Sequence, residues 1–313
     1  LGPAPRFDYI TNFDFDGDWR GDNNWNNAAA AQFPLRGYVY YAVFETRTHF
    51  FIHYACFHPR DYKGGEQRGA LLSEIMRKGV DLGGQYDPTG RSNEAVMAHE
   101  NDLEGAVVVA EKHGEDPFQA TLLLVETLAH NNYLKYAPPG SPLKADPLMV
   151  EGVRPRLFVE PKGHGIESWR DAPEQHKMAE GGFLVYIFAA NAGDPAGRTN
   201  IAVDYELLPT YETFWPRSRG GKNETCGEEH DYGVVSPKFA EGNADVVTHV
   251  KLGVMGSALN GKVGAANMSR PPWGWFDGQD RNRPLGEWFL DPATVVKRHW
   301  SLPDSFSTVY TYH

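Results

Sequence analysis

Cysteine is almost absent. Cys56 and Cys226 are the only two in 313 residues, so no disulfide framework holds the fold, and whether the pair forms one long-range bridge is left open by the sequence. Long apolar runs are missing as well. No stretch approaches the ~20 residues that span a bilayer as a helix, and the opening LGPAPRFDYI has neither the basic nor the apolar region of a signal peptide. Positive charge is in the minority, 30 Lys and Arg against 41 Asp and Glu for a net of -11, and no basic cluster is dense enough to track a phosphate backbone. These shortages argue against a transmembrane segment and against a nucleic-acid partner. Helical periodicity is scarce too, and the GxSxG, HExxH, P-loop, GxGxxG and CxxC signatures are lacking, so the common serine hydrolase, zincin and nucleotide-binding chemistries find no support.

What the chain does contain is 41% hydrophobic residues, enough to bury a full core, and 13% aromatics alongside 33 Gly and 22 Pro. That mixture suits short strands joined by shaped loops, as in secreted or extracellular β-proteins. Strand signals follow in order. Residues 37–59, GYVYYAVFETRTHFFIHYACFHP, read as two antiparallel strands broken near ETRT, and LEGAVVVAEKHG and FQATLLLVETLAH as a second hairpin around EDP. RPRLFVEP (154–161), GGFLVYIFAA (181–190) and TNIAVDYELL (199–208) add further strands. Helix candidates are 66–79, 171–180 and DPATVVKRHW, where Asp291 suits an N-cap and Pro292 the first helical position. The expectation is an all-β fold, an antiparallel β-sandwich with long decorated loops and a few short helices, forming a single elaborated domain over residues 1–313. Residues 11–36, 80–98, 131–153 and 209–290 read as irregular loops, too aromatic for disorder and long enough to build a site.

The stretch HENDLEG, residues 99–105, places His99, Asp102 and Glu104 directly before the apolar run AVVVA. On a strand Asp102 and Glu104 project to one face, and His99 joins them only through a turn or bulge. Two carboxylates and an imidazole suit an oxygen-rich cation site for calcium or magnesium. The bland alternative is a solvated strand end with a histidine satisfied by a backbone carbonyl. TNFDFDGDWRGDNNWNN offers a second candidate: Asn12, Asp14, Asp16 and Gly17 match the opening of a calcium loop, but Asn23 stands where its closing Glu belongs, which leaves a partial calcium loop or an Asx-rich turn. His49, His53 and His58 cannot share one strand face, so they read as packed or rim histidines. In HPRD, Arg60 suits an anionic substrate group. Trp273 and Trp275, in PPWGWFDGQDRNRPLGEWFLDP with Phe276 and Trp288, are either stacking platforms for a sugar or lipid surface or a buried loop anchor.

HENDLEG resembles the heptapeptide GHRHDWE of necrosis-inducing (Nep1-like) proteins and the HxGDWE stretch of vacuolar protein sorting protein 62-like sequences. His99, Asp102 and Glu104 fall on matching positions, while Asn101 and Leu103 depart from the pattern. RLFVEPKGHGIESW resembles the strand of the second family that ends in Gly-His, which aligns His164 with that histidine. The resemblance implies a β-sandwich with a divalent cation held at its end, serving membrane-glycolipid recognition and cytolysis in the Nep1-like proteins. Taken together, the first expectation is a secreted, divalent-cation-dependent hydrolase of a glycan or lipid head group. Asp102 and Glu104 would hold the ion, with His99 and His164 as ligands or base. The second is a non-enzymatic, calcium-dependent lectin-like or membrane-damaging protein with peripheral membrane contact.

Overall fold

The computed structural model describes residues 6–19, 23–61, 99–129, 132–178, 182–196, 201–218 and 287–312, together with the backbone of short strands between 229 and 256. The strands of the main body are β1 (Tyr38–Thr46), β2 (His49–Asp61), β3 (His99–Glu111), β4 (Thr121–Ala129), β5 (Asn132–Ala137), β6 (Asp146–Pro147), β7 (Val150–Glu151), β8 (Arg154–Pro155), β9 (Leu157–Val159), β10 (Ile166–Ser168), β11 (Leu184–Phe188) and β12 (Ile201–Pro209). Six further strands, β13 to β18, nest as one hairpin: Glu229–Asp231 pairs with Val254–Gly256, Val234–Val235 with Val250–Lys251, and Lys238–Glu241 with Ala244–Val247. β19 (Tyr310–Tyr312) closes the series. The helices are α1 (Asn24–Asn27), α2 (Pro173–Met178), α3 (Phe214–Ser218), α4 (Glu287–Leu290) and α5 (Pro292–Trp300), with a 3-10 turn over Arg6–Asp8.

One large sheet dominates, in the order β11-β12-β1-β2-β3-β4-β5-β6, with β19 on the end of β1. β1 to β4 are the two expected hairpins, joined into an antiparallel meander that β5 extends, so that β5, β6 and β7 occupy the stretch 131–153 expected as irregular loop; the break at ETRT is the turn between Thr46 and His49. The sheet as a whole is mixed. β12 runs parallel to β1, β11 parallel to β12, and β6 parallel to β5. The purely antiparallel expectation therefore fails at both flanks. Side-chain alternation reports which face a residue takes and carries no information on strand direction; β6 follows β5 after residues 138–145, and β12 follows β11 after residues 189–200.

Both faces of the sheet are covered. On one, Phe51, Phe57, Leu103, Val107, Val109 and Leu124 pack under Phe13 of the N-terminal loop and under Trp288, Phe289, Val296 and Phe306 of the C-terminal segment. On the other, Cys56, Ala106, Val108 and Val125 meet Ile10, Leu148 and Ile166, with Tyr54 and Leu157 at the margin. β3 is buried on both sides, which is why AVVVA reads as continuous rather than alternating. Opposite the second face stands the short β9–β10 hairpin, so the described strands make one extensive sheet and not a pair of them. RPRLFVEP, expected as one strand, divides into β8 and β9 after Pro155. α5 starts as its sequence predicts, with Asp291 Oδ1 accepting from Thr294 N at 3.3 Å. The helix expected over 66–79 lies outside the described residues.

Candidate functional site: a buried carboxylate and imidazole cluster

HENDLEG is itself strand, the first half of β3, and its register against β2 sets His58 opposite Asp102 and Cys56 opposite Glu104. Asp102 and Glu104 share a face, as their spacing requires, and both are buried, at 5% and 8% exposure. Between His99 and Asp102 the chain takes an unusual step: Asn101 has φ +59°. Asparagine tolerates this left-handed conformation better than most residues, and its buried side chain is held by a hydrogen bond from Asn24 Nδ2 of α1 at 2.6 Å. His99 pairs by backbone with Asp61, and its side chain lies outside the described set.

The turn from β9 to β10 brings His164 onto this face. Glu160 N donates to Gly165 O, and His164 N to Glu160 O, tightening the hairpin, while Lys162 and His164 sit at φ +72° and +54°. His164 is fully buried. Its Nδ1 lies 2.7 Å from Asp102 Oδ2, and its Nε2 lies 3.2 Å from Asp8 Oδ1. The same Asp8 oxygen accepts from Lys162 N at 2.9 Å, so the N-terminal turn grips the β9–β10 turn at two points. The His58 ring stacks on that of His164, with centroids 3.7 Å apart and planes 1° from parallel.

The charges follow from these contacts. Burial pushes His164 down, but hydrogen bonds and charges from Asp102 and Asp8 outweigh it and raise the ring to about 9. His58 moves the other way, far below its ordinary value, first through burial and then through the charge on His164. Its ring nitrogens face the backbone of Asp8 and Tyr9 without a hydrogen bond of good geometry. The two stacked rings are thus driven in opposite directions. Burial and then Glu104 hold the Cys56 thiol up, at about 12. Arg60 is 3% exposed with its guanidinium carbon 3.9 Å over the Phe7 ring.

The structure therefore brings Asp102, Glu104 and His164 to one face and adds Asp8 and His58. Asp8 escaped the sequence reading because RFDYI carries no pattern, and its partner is 156 residues away. As a divalent-ion site this set fits poorly. Both His164 nitrogens already face carboxylates, and among the described residues no three His, Cys, Asp or Glu side chains form a metal-ligand group. The N-terminal loop satisfies its acids in the same way. Asp14 accepts from Asn12 Nδ2 at 2.8 Å, Asp16 from Asn27 Nδ2 at 2.6 Å, and Asp18 from Asn23 Nδ2 at 3.0 Å, with Gly17 at φ +93° turning the chain. Of the aromatic stretch, Trp288 is a buried anchor, while Trp273 and Trp275 lie outside the described residues.

A further buried carboxylate, on the opposite face of the sheet, has no counterpart among the residues singled out from the sequence. Glu126 of β4 is fully buried and accepts from Trp288 Nε1 at 2.9 Å and Trp300 Nε1 at 2.6 Å, with His299 Nδ1 at 3.1 Å. A lone acid inside LLLVETLAH was the available signal.

No family model matches the chain, and no curated protein matches it. Two solved structures resemble it in part. One, a non-toxic HaNLP3 protein, is 19% identical with a TM-score of 0.22, covering 44% of this chain and 47% of that one. The other, described as "Toxin fold for microbial attack and plant defense", is 16% identical with a TM-score of 0.26, covering 50% of this chain and 54% of its own. The chain spans about half the length of each, and likeness of this degree fixes neither the fold nor the function.

Proposed function

We propose that the protein is a secreted, non-enzymatic binding protein of the lectin-like or membrane-damaging kind, recognising a glycan or a lipid head group. The observation that carries this reading is the commitment of His164. A general base needs a lone pair aimed at the reacting water from hydrogen-bond distance, roughly 3 Å. Of the two imidazoles that the hydrolase reading nominates as ligand or base, His164 faces a carboxylate with each nitrogen and has no exposure to solvent. Such a cluster suits rigidity better than proton transfer. Arg60 is buried over the Phe7 ring, and in this proposal Trp273 and Trp275 supply the stacking platforms. A cation at Asp102 is not required by it.

The test is a binding screen with a chemical readout. The protein is incubated with phospholipid vesicles of defined head group and with a glycan array, in calcium, magnesium or chelator, and dye release, retention and mass-spectrometric composition are followed. Saturable binding or leakage with unaltered lipids and glycans supports the reading. Cleaved product in excess over protein, abolished by His164→Gln in a variant with wild-type circular dichroism, overturns it.

A further inference from the structure

The His164 cluster sets a proton-counting problem that the binding role leaves unanswered. An ionised carboxylate only accepts hydrogen bonds, and a neutral imidazole has one N–H to donate. Here one buried ring meets two carboxylates, Asp102 at 2.7 Å through Nδ1 and Asp8 at 3.2 Å through Nε2, and with both carboxylates ionised the two contacts are donor–acceptor pairs only when each nitrogen bears a proton. The second ring, His58, lies flat against His164 and donates to neither carboxylate.

We propose that the His164 ring, protonated on both nitrogens, is the built-in cation of this site, standing between Asp8 and Asp102 where a divalent ion would otherwise sit, so that the wild-type protein binds no such ion there. The inference does not depend on which ligand the protein recognises. Three further features point the same way. Lys162 N donates to the Asp8 oxygen that also faces His164, so the carboxylate is aimed by two groups of one turn. The turn reaches this arrangement only by placing Lys162 and His164 in left-handed backbone conformations, which non-glycine residues adopt at a cost and which surrounding structure must hold. The ring is wholly shielded from water, so its charge is answered by these carboxylates and not by solvent. The Asp102 charge is thus answered from inside the chain, by a histidine 62 residues further on.

Removing the ring while keeping the backbone tests the idea. His164→Gly retains the left-handed conformation and leaves two carboxylates around a cavity. Calcium, magnesium and manganese ions alone are titrated calorimetrically and by thermal melting into wild type, His164→Gly and His164→Gly with Asp8→Asn. Wild type is expected to show no binding heat and no shift of the melting temperature relative to chelator. His164→Gly is expected to melt lower in chelator and to regain stability with added cation or with imidazole. Asp8→Asn in that background should weaken the cation response by about tenfold or more, because carboxylate number sets the affinity of oxygen sites. A wild-type protein that binds one divalent ion and loses it with Asp102→Asn overturns the proposal. So does a folded His164→Gly that responds to neither cations nor imidazole. Should His164→Gly fail to fold, nitrogen-15 spectra of the wild-type histidines decide: two protonated ring nitrogens at neutral pH, unmoved by calcium or magnesium, uphold the built-in cation, and a single protonated nitrogen refutes it.

Discussion

Replacing Glu126 by alanine should be among the most destabilising single changes on the described surface of the sheet. The carboxylate is fully buried between β3 and β5 and is the acceptor for two indole N–H groups and one imidazole nitrogen, all from the C-terminal helical segment. Trp288 is 1% exposed, so its orphaned N–H finds no water and costs about 2 kcal/mol. Trp300 and His299 are less deeply set and can be partly rehydrated, at about 1 kcal/mol each. The sum, about 4 kcal/mol, is a large share of the ~5–15 kcal/mol by which domains are stable. Glu126→Gln keeps the volume and one acceptor but turns an amide donor toward an existing donor, for a cost of about 2 kcal/mol. Urea unfolding followed by tryptophan fluorescence, with near-ultraviolet dichroism to check that α4 and α5 stay docked, measures both. An alanine variant within about 0.5 kcal/mol of wild type, the range of ordinary surface substitutions, or a glutamine variant less stable than the alanine one, would refute the assignment of Glu126 as the anchor of the two tryptophans.

The buried histidines predict a stability optimum near neutral pH. His164, raised from 6.5 to about 9, contributes stability that is complete below pH 6.5 and is lost as pH climbs through about 9, on the order of 3 kcal/mol. His53 and His49, lowered by burial to about 3 and about 4, contribute stability present above pH 6.5 and lost as pH falls toward those values. Urea midpoints across this range should trace both arms, and His164→Gln should flatten only the alkaline one. In a Cys226→Ser background, Cys56 should resist thiol reagents until the protein unfolds, since it is 9% exposed with its thiol held up at about 12; native-state labelling at the rate of a small free thiol would contradict its burial. Gly37→Ala should lower the melting temperature, because the added methyl would lie 2.5 Å from the Asp204 carbonyl oxygen across the start of the β1–β12 pair; an unchanged melting curve would place that carbonyl elsewhere.

The parts of this fold that the sequence discloses are the local ones. The hairpins from β1 to β4 are legible because each strand alternates or is apolar throughout, and because ETRT and EDP interrupt them at turns. The α5 start is legible because its cap and its proline are adjacent. The parallel flanks are not legible, since nothing in TNIAVDYELL distinguishes β1 from β5 as its neighbour or one direction from the other. In the site, Asp102 and Glu104 are correctly set on one face by spacing alone. Asp8 is beyond any such argument, and so is the sense in which the carboxylates are answered: an acid-rich stretch asks for a counter-charge, and a cation from solution and an imidazole from a distant turn satisfy that request equally well in one dimension. Glu126 shows the converse, a partner set of two indoles that only the packed helices reveal.

The place of β1 in the sheet has a bearing on how the chain is made. As it emerges during synthesis, β1 finds β2 at once across the short turn at Thr46 to His49, but its other edge is paired over Tyr38–Tyr41 by β12, which spans Ile201–Pro209, and at Glu45 and Thr46 by β19. Some 160 residues must therefore be produced while one side of YVYYAVFET offers unpaired peptide groups and aromatic surface, at the ~5–20 residues per second of translation. For a period on the order of ten seconds to half a minute, the middle of the finished sheet is a sheet margin. Any polypeptide ending before residue 201 keeps that margin permanently, which makes the position of β12 a checkpoint dividing fragments that associate through β1 from chains that close upon themselves.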